Sequence, residues 1–76
     1  MKIDPLITMA NQIGAFFAGE YANNPEEAAK MAATHLRRYW EPRMRSQMIE
    51  YFKSNGGEGL DEVAKSGVAM LAADKV

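Results

Sequence analysis

The four arginines of this chain and its single tryptophan all fall within His35-Leu36-Arg37-Arg38-Tyr39-Trp40-Glu41-Pro42-Arg43-Met44-Arg45. A guanidinium is a flat, permanently charged fork of donors, and an indole is a broad contact surface. That combination anchors contacts between proteins. Covalent chemistry needs other groups. Nucleophilic catalysis requires an activated nucleophile, a base and a group that orients the base. The candidates are Ser46, Ser54, Ser66, Thr8, Thr34 and the only histidine, His35, and they form no known signature. His35 therefore reads as a structural or surface residue. One histidine, no cysteine and scattered carboxylates give no metal-ligand spacing. Gly56-Gly57-Glu58-Gly59 is a weak phosphate cradle, because Glu58, Asp61 and Glu62 would repel the phosphate. It reads better as a helix stop and a tight turn. No residue is assigned a catalytic, cofactor-binding or metal-binding role.

The arginines do not form one stripe along one helix. Arg37 projects from the polar face of a helix that ends near Tyr39, and Arg38 lies off its other side. Arg45 borders the apolar face of the next helix, while Arg43 points away. They crowd around a Trp40-Glu41-Pro42 corner and form a positive knob with an aromatic centre. Three readings compete. The arginines are solvated and paired with Glu41, Glu50 or Glu20, at about 0–1 kcal/mol per pair; or they bind nucleic-acid phosphates; or they enter an acidic or polar cleft on a partner protein. In the third reading Trp40 is the buried anchor, with Arg37, Arg38, Tyr39, Arg43 and Arg45 around it. Asn11 and Gln12 on the first helix add a second contact.

The elements that position these residues are helices. Pro5, Pro25 and Pro42 each sit where a first turn tolerates a missing N–H. Asp4 and Asn24 are caps, with Glu27 completing a capping-box-like pattern, and Glu41 is a weaker cap. The residue before a proline disfavours the α conformation, so Trp40-Glu41 is a break. Apolar positions recur at helical spacing: Leu6, Ala10, Ile13 and Phe17, with Tyr21 at the edge; Ala28, Ala32, Leu36 and Tyr39; Met44, Met48, Tyr51 and Phe52; Leu60, Val63, Ala64, Gly67 and Leu71. The spacing predicts an all-α bundle of four short helices at about 5–20, 25–39, 42–54 and 60–73, with bounds good to ~2–4 residues. The last few residues are expected to fray. Met9, Phe16, Trp40 and Ile49 lie at helix margins or in the break. They either widen the core or remain outside as a docking surface.

Seventy-six residues make a single domain. A chain of this length buries only about 60% of its unfolded surface and is marginally stable alone. The net charge of -1 argues against a dedicated nucleic-acid binder. The sign is local, however: residues 35–45 hold four arginines and one glutamate, and residues 58–62 hold three acids. The apolar stretch from Leu6 to Ala18 is interrupted and far short of the roughly 20 residues of a membrane span. Asp4 and Pro5 occupy the place of a signal peptide's basic region. A cytoplasmic, cysteine-free protein is expected.

Met9-Ala10-Asn11-Gln12-Ile13-Gly14-Ala15-Phe16-Phe17, the block from His35 to Arg45, and Gly56-Gly57-Glu58-Gly59-Leu60 together resemble the delta subunit (FdsD) of NAD-dependent formate dehydrogenases in order and spacing. They span most of residues 3–60. The middle block is the specific one, and Tyr39 stands where the family often has phenylalanine. The C-terminal helix, about 60–73, adds little. The resemblance implies an accessory, non-catalytic subunit of a cytoplasmic complex that supports assembly or stability. A large alpha subunit, the expected partner, would carry a molybdenum or tungsten pterin (molybdopterin-type) cofactor and iron–sulfur clusters. Other subunits would carry FMN and further clusters to reach NAD, and this subunit would hold none of these. Two alternatives stand beside it: chaperone-like handling of the pterin cofactor for the alpha subunit, with the arginines on its phosphates, and a small nucleic-acid-binding helical protein.

Overall fold

The computed structural model describes residues 2–73 as four helices with no strand among them: α1 (Ile3–Glu20), α2 (Pro25–Tyr39), α3 (Pro42–Asn55) and α4 (Glu62–Ala73). The frayed end expected at residues 74–76 lies outside the described residues. The helix starts follow local chemistry with two departures from the sequence reading. Asn24 caps α2, its Oδ1 accepting from the Glu27 N–H at 3.2 Å. The Glu27 carboxylate lies 3.9 Å from Lys30 Nζ along the same helix. Asp4 does not cap α1, which begins earlier at Ile3, so the acid sits inside the first turn, where it favours the helix dipole. Helix α4 begins at Glu62, later than expected, because Leu60 still belongs to the turn. Gly56 closes α3 with φ +68°, and Gly57 and Gly59 also have positive φ, a conformation that glycine alone adopts cheaply.

Small residues decide how the helices meet. A Cβ placed on Gly67 of α4 would stand 3.1 Å from the Ala32 methyl and 3.2 Å from the Ala29 carbonyl oxygen of α2. A Cβ on Gly14 of α1 would meet the Ala64 backbone nitrogen at 2.8 Å. Helix α4 is therefore pressed backbone-to-backbone against both α1 and α2, on a surface of Ala28, Ala29, Ala32 and Ala33 from α2. Leu6, Leu36, Met48 and Val68 fill the remaining centre, and each is almost fully buried. Tyr39, expected on the inner face of α2, is instead 70% exposed. It is the last residue of that helix and extends beyond the core.

Three side chains fasten the turns. Asn11 in the middle of α1 donates from Nδ2 to the Gly59 carbonyl at 3.0 Å, and its Oδ1 accepts from the Asp61 N–H at 2.8 Å. It holds both sides of the turn into α4. The Tyr51 hydroxyl adds a bond to the Glu58 carbonyl at 2.7 Å. At the other corner, Arg45 Nη1 donates to the Arg37 carbonyl at 2.9 Å and to the Trp40 carbonyl at 2.7 Å. A cation on the final carbonyls of a helix satisfies acceptors that the helix cannot and favours its dipole.

Arg45→Ala and Asn11→Ala should each lower stability by about 1–2 kcal/mol, read as a shift of the urea midpoint at unchanged slope. The glycines should divide in sign. Gly14→Ala forces α1 off α4 and should destabilise by about 1–3 kcal/mol. Gly19→Ala, which meets nothing within 4 Å, should stabilise by up to about 1 kcal/mol in the same urea titration.

Candidate functional site

The corner between α2 and α3 is where the sequence concentrates its contact-making residues, and the structure sorts them. Trp40 is not available to a partner. Its backbone is extended (φ -82°, ψ 142°), as expected before Glu41-Pro42, and the indole is 6% exposed within the core cluster of Leu6, Leu36, Met48 and Leu60. The expected anchor is thus an internal packing residue: the proline break turns the chain at the end of α2, and the indole packs into the core. Arg45 is likewise committed, to the carbonyls of Arg37 and Trp40 at the end of α2. Asn11, expected to contact a partner, spends both ends of its amide on the turn into α4.

Tyr39, Arg37, Arg38, Arg43 and Gln12 remain on the exposed surface. Among the described residues, Arg38 and Arg43 make no hydrogen bond or ion pair, so the expected pairing with Glu20, Glu41 or Glu50 is not made by these two. The four arginines therefore split between structure and surface, although they are adjacent in sequence.

A second group joins them that the sequence reading did not assemble. Phe16 and Phe17 stand edge to face with ring centroids 5.0 Å apart. Phe17 meets His35 at 6.1 Å, and His35 meets Tyr39 at 4.8 Å. This ladder of four rings crosses from α1 to α2. Its inner rungs are half-buried, while its ends, Phe16 and Tyr39, are 60% and 70% exposed. Gln12, Ile13, Phe16, Phe17 and His35 enclose a notch of about 210 Å³ along it. Met9, about two turns before Phe16, is also exposed at 39%. Of the four apolar residues expected as surplus, Met9 and Phe16 are outside, Ile49 is half-buried and Trp40 is inside. The signal for the ladder was present in Phe16, which lies one residue off the Leu6-Ala10-Ile13-Phe17 stripe. His35 reads from the sequence as a structural or surface residue, with nothing local to indicate its ring partners.

A wider groove of about 340 Å³ lies between the start of α2 and α4, with Glu26 and Glu62 at its mouth and Val63 and Met70 along it. Both acids occupy first turns, which accounts for them electrostatically. No three His, Asp or Glu side chains converge as metal ligands among the described residues. No helix there is long and apolar enough to cross a membrane.

No curated protein and no solved structure matches the chain. Residues 5–68, which include most of α1, all of α2 and α3, the ladder and the arginine corner, match the family described as "NADH-dependant formate dehydrogenase delta subunit FdsD". The match covers most of the 76 residues, and it agrees with the resemblance carried by the Met9–Phe17, His35–Arg45 and Gly56–Leu60 blocks. This four-helix chain, with its glycine-bound turn and its tryptophan corner, belongs to the formate dehydrogenase delta subunit family.

Proposed function

We propose that the chain is a non-catalytic accessory subunit that docks on the other subunits of a cytoplasmic formate dehydrogenase, foremost the alpha subunit, and stabilises the assembled complex. Its partners carry the molybdenum or tungsten pterin, the iron–sulfur clusters, FMN and the NAD site, and this chain holds none of them. One observation supports the reading above the rest. Arg38 and Arg43 are exposed without a carboxylate partner among the described residues, and Tyr39, next to Arg38 in the chain, is 70% exposed.

The magnitudes assign different roles to the two residue types. A rim arginine contributes about 0–1 kcal/mol of affinity, but it steers encounter and selects the register. Burying an exposed aromatic ring supplies about 1.5–3 kcal/mol. The rings therefore hold the partner, and the arginines choose it. A subunit that binds the folded complex and not its unfolded parts stabilises it by mass action.

The test is to express the partner subunits with and without the chain. With it, the chain should co-elute with the finished complex, and the complex should resist thermal dissociation for longer. If the chain is found only on cofactor-free alpha subunit and never in the finished complex, it handles the cofactor and is not a resident subunit. Equal yield and lifetime without the chain would defeat the proposal. The Arg38→Glu, Arg43→Glu double variant should associate about tenfold or more slowly at low ionic strength, and the difference from wild type should shrink as salt is raised.

A further inference from the structure

We propose that the notch between α1 and α2 receives one apolar side chain of a partner subunit, and that a carboxylate close to it on the same partner segment pairs with Arg38. This rests on the accessory-subunit reading above and specifies the chemistry of what is bound.

Size comes first. The notch is about 210 Å³ and framed by Ile13, Phe16, Phe17 and His35. A cavity of ~150 Å³ accepts benzene, so one leucine or phenylalanine side chain fits here. The walls are preformed: Phe17 packs edge-on against Phe16 and His35, and His35 rests on Tyr39, so each ring limits its neighbour. Apolar surface presented so openly on a small helical chain is suited to cover by another chain.

Charge then selects the occupant. Gln12, Ile13, Phe16, Phe17 and His35, which line the notch, include no carboxylate, whereas Arg37 and Arg38 follow His35 on α2. Arg38 lies three residues after His35, one step around the same helix, and is exposed with no ionic partner among the described residues. A neutral or basic segment would leave that guanidinium without a counter-charge; an acidic one would pair with it. The same argument disfavours a second copy of this chain. A two-fold contact sets the same patch against itself, and the lining of that patch offers no carboxylate to the other copy's Arg38.

The experiment uses the tagged chain co-expressed with its formate dehydrogenase subunits. Phe16→Asp and Arg38→Glu should each reduce the retained partner by about tenfold or more, as changes at hot spots do, while Lys53→Glu on α3 leaves it unchanged. Both positions are exposed, and melting curves matching wild type confirm that the variants fold. Phe16→Ala replaces Phe16→Asp if they do not match. A photoreactive benzoylphenylalanine in place of Gln12 should cross-link to a partner peptide with an acidic residue within a few positions of the adduct. If wild type retains its partners and Phe16→Asp and Arg38→Glu retain as much, this inference fails while the accessory-subunit reading stands. If wild type retains no partner, both fail. A cross-link to another copy of the chain, or to a partner peptide without acids, also overturns the inference.

Discussion

The architecture depends on the close approach of α4 to its two neighbours. Gly14 has no room for a Cβ, because the Ala64 backbone stands in its place, and a Cβ on Gly67 would crowd Ala29 and Ala32. Interiors tolerate neither voids nor overlap, so a bundle whose helices meet this closely has a thin core. Alanines fill most of the inner face of α2, and a few larger groups occupy the middle.

A thin core has a consequence for the aromatics. The bundle takes in one indole, at Trp40, and leaves the rings of Phe16 and Tyr39 in solvent. A thicker core would have enclosed them. The exposed ladder is thus the complement of the alanine–glycine packing behind it, and the surface available for recognition follows from the way the helices are pressed together. The arginines behave alike. The one nearest the core, Arg45, is consumed in finishing α2, and Arg38 and Arg43 face outward.

Much of the fold was legible because each signal is local. Prolines at first turns, Asn24 as a cap and Gly56 as a left-handed stop all act within a few residues, and the four helices lie within a few positions of their expected bounds. The site was less legible because its residues act across the chain. Trp40 carries the same letters whether it faces a partner or the core; only side chains distant in sequence, Leu6, Met48 and Leu60 among them, decide. Asn11 looks like a free polar residue until the turn around Gly59 and Asp61, 48 and 50 positions later, is seen beneath it. His35 looks isolated until Phe17 and Tyr39 are placed on either side. The family assignment drew on longer strings of residues and so did not depend on knowing which of them face outward.

The bond from Arg45 to the two carbonyls at the end of α2 bears on more than stability. The tyrosine sits between those two acceptors in the chain, so its backbone is already immobilised before any neighbour arrives. A loose corner would have to give up its freedom at the moment of contact, and that loss would subtract from every favourable term. Here the loss has been taken during folding, and the surface meets its counterpart as a finished shape.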